Sequence, residues 1–136
     1  MTMLMKITGA DGQMLVRGGC KAAGRLGWIE LSGFGWNSRR PFVMSAAAAS
    51  PVTEMWFTKG RDSATHWLSK RVFNQDATEF VKITVEWSNP GNTVTFVLID
   101  VSFDGVGYSR GDVATSDYYD ISFERMSTST ASVRSA

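Results

Sequence analysis

Thr58 to Trp87 reads TKGRDSATHWLSKRVFNQDATEFVKITVEW and contains the one convincing helix pattern of the chain, followed by an alternating strand. Leu68 and Val72 lie four residues apart and therefore share one face of a helix. We predict a helix from about Thr65 to Phe73, with Leu68 buried against a sheet and Lys70 exposed.

Signals for both ends of this helix are present. Asp62, Ser63 and Thr65 each offer a side-chain oxygen to the unpaired amides of a helix start. Asn74 is a suitable residue at which to stop. After the helix, apolar and polar residues alternate, which is the period of a strand with one buried face. The apolar members of this strand are Val81, Ile83, Val85 and Trp87. The sequence therefore predicts a short helix on or beside a sheet.

Most of the remaining chain favours strands. Short alternating runs are separated by turn signals at 9–12, 104–105 and 110–112. With 136 residues the chain has the size of one domain. We predict a mainly β fold, a small antiparallel β-barrel or sandwich with one flanking α-helix, over residues 1–126. Residues 127–136 are polar and low in complexity, and we expect disorder there because they have little apolar surface to bury.

Two predicted strands carry apolar residues on both faces, at 26–36 and 94–103. An antiparallel sheet with one wet side would alternate more cleanly, so we expect both strands to be covered on both faces. Either the sheet closes into a barrel or a neighbouring subunit supplies the second cover, and both can hold together. On this reasoning Phe96 and Leu98 are candidate subunit contacts.

Charge and composition argue against several functions. The net charge of +1 gives no field that would attract nucleic acid. Cys20 is the only cysteine and His66 the only histidine, so an internal disulfide and a multi-histidine metal site are excluded. We expect no cofactor. The sequence has neither a signal-peptide pattern nor an apolar run of ~20 residues, so we expect synthesis in the cytoplasm and no membrane insertion.

No catalytic constellation is visible. His66 lies in the first turn of the predicted helix, where a surface position is favoured over a catalytic base. The carboxylates are scattered along strands, so no acid pair stands out. The tryptophans could line a sugar site, but packing in a core or interface is the stronger interpretation. They are Trp28, Trp36, Trp56, Trp67 and Trp87. The residues indicate a self-associating domain without enzymatic activity, and a monomeric or dimeric carbohydrate-binding module is the alternative.

The segment from Asn37 to Ser50, NSRRPFVMSAAAAS, is long for a connection in a small domain. Its last six residues, 45–50, are too few to form an independent helix, so we predict an extended loop. Arg39, Arg40 and Phe42 give this loop two charges and an apolar anchor. Loops of this length in compact domains are more often functional than idle.

Three motifs carry a resemblance to a known family. Ile29 to Trp36, IELSGFGW, is similar to a strand with the pattern I-E-V-x-S-F-x-W. Thr58 to Leu68 resembles T-K-x-x-D-x-A-S-P-x-L, with Asp62 and Ala64 in register. Tyr119 to Met126 resembles a closing strand, I-S-L-S-F-E-K-I. In this order the motifs resemble the haemolysin-coregulated protein (Hcp) family, the tube protein of type VI secretion systems.

The resemblance implies a small β-barrel with a flanking helix, six copies closing into a ring, and rings stacking into a tube that carries or chaperones effectors. The implied partners are the chain itself, as a homohexamer, and sheath, spike and effector proteins. Export to the extracellular space or a target cell without a signal peptide is also implied. In the family the extended loop reaches toward the next ring, so Arg39, Arg40 and Phe42 are candidate ring-stacking residues.

Overall fold

The computed structural model describes residues 2–37, 53–74, 79–108 and 116–132. In chain order its elements are β1 (Thr2–Thr8), β2 (Ile29–Glu30), β3 (Gly33–Trp36), β4 (Glu54–Gly60), α1 (Thr65–Phe73), β5 (Lys82–Asn89), β6 (Asn92–Tyr108) and β7 (Ser116–Ser132). The described part of the chain is thus mainly β with one short helix, which confirms the predicted fold class.

The strands form one antiparallel sheet in the order β2, β1, β5, β6, β7, β4, β3. Although β2 and β3 stand at opposite edges, only Leu31 and Ser32 separate them in sequence. The amide of Leu31 donates to the carbonyl of Met3 on β1, at 2.9 Å, and the amide of Ser32 donates to the carbonyl of Thr58 on β4, at 2.8 Å. The sheet must curl to bring these edges together, so the segment from β2 to β3 closes it into a barrel.

The helix has the predicted bounds, Thr65 to Phe73, and Asn74 is its C-cap. Leu68 is fully buried in the core and Lys70 is exposed, as predicted. Leu68 and Val72 join the apolar core, and the helix packs against β6. The core residues that the strands contribute include Met5, Ile7, Ile29, Met55, Phe57, Ile83, Val85, Leu98, Tyr119 and Ile121.

The helix start differs from the prediction in its detail. The N-cap residue is Ala64, which has no side chain able to cap the first turn. Asp62 Oδ1 instead accepts from the amide of Ala64, at 2.9 Å, and Thr65 Oγ1 accepts from the amide of Asp62, at 3.0 Å. These side chains therefore order the turn that precedes the helix.

A bend at Asp100 explains why β6 looks apolar on both faces. Asp100 has φ of 59°, a left-handed conformation that aspartate tolerates better than most residues. Before it, Leu98 faces the core; after it, the odd-numbered Val101 and Phe103 do so. The bend shifts burial from even-numbered to odd-numbered residues. Leu98, Val101 and Phe103 therefore all share one core.

The same change of parity occurs between β2 and β3. Ile29 and Leu31 are buried before Ser32, and Phe34 and Trp36 pack against the core after it. Closure of the sheet, one of the two expected sources of cover, thus covers these residues within a single chain, and a cover from a neighbouring subunit stays a prediction. Val97 and Ile99 precede Asp100 on the other face of β6 and are partly exposed.

The predicted disorder from residue 127 onward is also wrong for 127–132. Strand β7 continues to Ser132, and its last residues pair with β6 in register, from Val97 opposite Ser127 to Asn92 opposite Ser132. Backbone hydrogen bonds to a neighbouring strand hold this segment even though its side chains bury little apolar surface. Residues 133–136 lie outside the described ranges.

In the part of the chain that the structure describes, no helix has the length and apolar character needed to span a membrane. Cys20 is buried, where a cysteine acts as a small apolar residue.

Candidate functional site: a buried polar network and an acidic outer cavity

Lys59 is buried inside the barrel beside the helix start. Strand β4 places Met55, Phe57 and Lys59 on its buried face. The ammonium group of Lys59 donates to Asp62 Oδ1 at 2.8 Å, to Thr65 Oγ1 at 2.8 Å and to the carbonyl of Gly60 at 3.0 Å. Three donors therefore find three acceptors, which is what burial of an ammonium group requires.

Asp117 on β7 completes this network. Its side chain is 0% exposed, and its Oδ2 atom accepts from Thr65 Oγ1 at 2.9 Å and from the hydroxyl of Tyr119 at 3.2 Å. Lys59 Nζ lies 3.6 Å from the same oxygen. The Oδ1 atom has no hydrogen bond, and its nearest cation is Arg61 Nε at 3.7 Å. The network ties β4, β7 and the helix start together, so we assign it a structural role.

A cavity of about 640 Å³ lies where the end of β3 and the start of β4 meet β6 and β7. It is lined by Trp36, Asn37, Glu54, Asp104, Tyr118, Asp120 and Ile121. Strands β3, β4, β6 and β7 or their ends supply these side chains, and these four strands are consecutive neighbours in the sheet. Because three lining residues are carboxylates, we call it the acidic cavity.

Asp120 organises the polar side of the acidic cavity. Its Oδ1 atom accepts from the hydroxyl of Tyr118 at 3.0 Å and from Asn37 Nδ2 at 3.3 Å. Partial burial, together with the hydrogen bond to the negatively charged Asp120, raises the pKa of Tyr118. Tyr118 therefore stays a neutral donor, and the cavity keeps a negative potential that favours a cationic group.

An aromatic platform borders the acidic cavity. The rings of Trp56 and Tyr118 are nearly parallel, at 16°, with centroids 6.1 Å apart. Trp56 lies against β3, where a Cβ atom at Gly35 would come within 2.6 Å of the indole Nε1 atom. Glycine at position 35 is thus needed for Trp56 to lie against the sheet. Planar apolar rings beside carboxylates suit a partner that combines apolar and cationic groups.

The tryptophans do not gather at one sugar site. Trp28 lies in another part of the fold and is buried, with the Lys6 ammonium 5.2 Å and the Arg25 guanidinium 5.0 Å from its ring centroid. Trp67 on the helix contacts Phe103 edge to face, at 5.7 Å. Among the described residues, no three histidine, cysteine or carboxylate side chains form a group that could hold a metal ion.

The structure gives different outcomes for the two predicted subunit contacts, Phe96 and Leu98. Leu98 is 0% exposed within a single chain, so its assignment to a subunit contact is wrong: bent strand β6 turns it into the core. Phe96 faces the same way and is partly buried, with ring centroids 5.8 Å from Phe34 and 5.1 Å from Trp36. A subunit contact at Phe96 stays a prediction.

The other predicted site residues, Arg39, Arg40 and Phe42, lie outside the described residues. Sequence reasoning did not find the acidic cavity, because Asp104 was assigned to a turn and Asp120 was one of several carboxylates scattered along strands. A signal was available for the buried network: strict alternation along β4 puts Lys59 on the same face as Met55 and Phe57.

The fold is a small β-barrel with one flanking helix, and an acidic cavity lies between its strands β3, β4, β6 and β7. A family model described as "Type VI secretion system effector, Hcp" matches residues 4–130. The chain therefore belongs to the Hcp family of type VI secretion proteins, and the predicted family is confirmed.

Solved structures share the fold. A mutant of the Hcp1 protein from E. coli EAEC 042 pathovar superposes with a TM-score of 0.75 at 15% identity, covering 97% of this chain and 99% of that chain. Hcp2 from Salmonella typhimurium gives a TM-score of 0.69 at 16% identity over 98% and 96% of the two chains. The secreted protein Hcp3 from Pseudomonas aeruginosa gives 0.68 at 15% identity over 98% and 99%. Comparison with curated protein sequences gives no match.

Proposed function

We propose that this chain is a structural subunit of the type VI secretion tube, in which six copies close into a ring and the rings stack. The observation that supports this proposal is the family match over residues 4–130, which extends from within β1 to within β7.

In this proposal the tube carries or chaperones effectors and catalyses no reaction. Its partners are further copies of the chain and the sheath, spike and effector proteins of the same system. The protein is made in the bacterial cytoplasm and leaves the cell through the secretion apparatus, to the extracellular space or a target cell, without a signal peptide.

Native mass spectrometry of the purified full chain tests the ring. We expect a closed hexamer at micromolar protein concentration, with ring-shaped particles in negative-stain images. Monomers or dimers at all concentrations, together with saturable binding of a glycan, would instead favour the carbohydrate-binding module. A second assay compares secretion of the tagged chain from cells with and without a working secretion apparatus. Equal release from both would contradict export by this route.

A further inference from the structure

The acidic cavity receives carboxylates from two neighbouring strands. Asp120 on β7 pairs with Gly105 on β6, and Asp104 directly precedes Gly105. The pairing register shifts between Phe103 and Gly105, and an irregularity of this kind re-aims the side chains around it. Both carboxylates line the cavity. Their combined charge favours a cation over an anion or a neutral sugar.

The hydrogen bonds of Asp120 keep one of its oxygens available to a ligand. Both of its donors, Tyr118 and Asn37, bind Oδ1, and within the described part of the chain Oδ2 has no donor. A Cβ atom at position 105 would stand 3.5 Å from Oδ2, but Gly105 has no side chain there. The approach to Oδ2 over strand β6 is therefore open.

A flat aromatic ring stands beside these carboxylates. Tyr118 stacks on Trp56 and is 38% exposed, so its ring is accessible to a ligand. Its pairing partner on β6 is Gly107, which has no side chain to cover the ring. A guanidinium group is a planar cation that stacks on aromatic rings and binds carboxylates through parallel hydrogen bonds. It therefore suits this combination of groups better than a compact ammonium group does.

We propose that the acidic cavity binds the guanidinium group of an arginine side chain that a partner polypeptide presents. Asp120 Oδ2 and Asp104 accept the hydrogen bonds of this group, and Tyr118 supplies the ring against which it stacks. The mostly polar lining suits a guanidinium group, because its donors find acceptors when it leaves water. The volume of about 640 Å³ also admits the methylene stem of the side chain and part of the flanking backbone. This inference goes beyond the proposed function and does not depend on ring assembly.

Calorimetric titration of the purified full chain tests the inference with acetyl-Gly-Arg-Gly-amide as the probe. We expect one peptide to bind per chain, with a Kd in the millimolar range because a single side chain makes the contact. The matching citrulline peptide has the same shape without the charge and should show no saturable binding. The matching lysine peptide should bind more weakly than the arginine peptide. Absence of saturable binding by the arginine peptide, or equal binding by either control peptide, would overturn the inference.

Charge variants show whether the peptide binds in the acidic cavity. Asp120→Asn and Asp104→Asn keep the size of each side chain and remove its charge. Each should raise the Kd of the arginine peptide about tenfold, as expected when a hydrogen bond to a charged group is weakened. The matched control Glu30→Gln removes one negative charge from an exposed residue on β2 and should leave the Kd unchanged. Unchanged Kd values in both cavity variants, or an equal rise in the control, would overturn the inference.

A steric variant closes the approach to Asp120 Oδ2 without changing any charge. Gly105→Val should fold, because Gly105 has no positive φ and a Cβ atom there makes only ordinary contacts. We expect it to abolish binding of the arginine peptide. Gly60→Val is the control, since a Cβ atom at Gly60 meets nothing within 4 Å, and it should bind as the unmodified chain does. If circular dichroism shows that Gly105→Val does not fold, Tyr118→Leu replaces it and should raise the Kd by removing the ring. Unchanged binding in the folded variant would overturn the assigned position.

Agmatine distinguishes a polypeptide partner from a small guanidinium compound. It carries the same group without a peptide backbone, so we expect it to bind more weakly than the arginine peptide. Binding of agmatine as tightly as the peptide would overturn the assignment to a polypeptide. Native mass spectrometry of the same samples reports ring assembly separately. A chain that forms rings and binds no peptide overturns this inference alone, and a chain that binds the peptide without forming rings overturns the ring proposal alone.

Discussion

At the scale of single residues, the buried pair of Lys59 and Asp117 is the least expected feature of the barrel. Both side chains are 0% exposed, and burial of charges costs more than their attraction returns unless hydrogen bonds complete the site. Here Asp62, Thr65 and Tyr119 supply those bonds. The network therefore makes the position of the helix start depend on two strands that are distant in sequence.

Removal of one partner should destabilise the fold strongly. Lys59→Ala removes the buried cation beside Asp117 and leaves it the exposed Arg61, 3.7 Å away, so we expect a loss of about 3–5 kcal/mol in the free energy of unfolding. Urea denaturation followed by circular dichroism measures it. The control Lys82→Ala, on the partly exposed face of β5, should change stability by less than about 0.5 kcal/mol. The double variant Lys59→Met with Asp117→Asn should lose less free energy of unfolding than the sum of the losses in Lys59→Met and Asp117→Asn measured singly. Additive costs would mean that the two residues act independently.

At the scale of elements, helix α1 is a small unit that owes its stability to packing. Nine residues are too few for an independent helix in water, and its core face consists of Leu68 and Val72. Leu68→Ala should therefore lower the free energy of unfolding by about 2–5 kcal/mol. Lys70→Ala, on the exposed side, should leave it nearly unchanged. Thermal unfolding by circular dichroism compares the two, and equal melting temperatures would contradict the assigned helix face.

The end of strand β7 predicts the effect of truncating the chain. Residues 128–132 pair with 92–96, so a chain ending at Ser127 leaves that part of β6 without its partner. We expect a lower midpoint in urea and faster amide exchange at 92–96, because their hydrogen bonds to β7 are lost. A chain ending at Ser132 is the control and should match the full chain. Unchanged exchange after truncation at Ser127 would show that the paired end contributes nothing to β6.

Local patterns predicted some of these elements and failed for others, for identifiable reasons. The helix bounds followed from side chains spaced four residues apart and from Asn74. At Ser32 and Asp100 the chain bends, and burial passes from odd-numbered to even-numbered residues or the reverse. The residue type at these two positions does not by itself predict a bend. The strand at 127–132 is held by backbone pairing with a distant segment, which side-chain composition does not encode. The acidic cavity likewise depends on the pairing of strands that are distant in sequence, so its members looked unrelated in sequence.

At the scale of the whole molecule, one closed barrel presents different chemistry on different surfaces. The acidic cavity and its aromatic platform lie among β3, β4, β6 and β7, and the helix presents Lys70 and Phe73 to solvent. A contact between two unlike surfaces builds rings or filaments, whereas a contact of one surface with its own copy builds symmetric pairs. Stacking of rings requires a contact along the tube axis in addition to the contact that closes each ring.

The loop residues Arg39, Arg40 and Phe42 are our proposed source of that stacking contact, on the basis of family resemblance. Replacement of both arginines by glutamate should leave hexamers intact in native mass spectrometry while abolishing stacked tubes in negative-stain images, because it reverses two charges that would face the next ring. Stacking by the unmodified chain should also weaken as salt rises, since exposed charge contacts are screened over about 10 Å at 0.1 M ionic strength. Replacement of Arg17 and Lys21 by glutamate is the matched control for net charge. Tubes of normal length from the Arg39 and Arg40 variant would remove the arginines from the stacking contact, whereas loss of tubes from both variants would assign the effect to net charge alone.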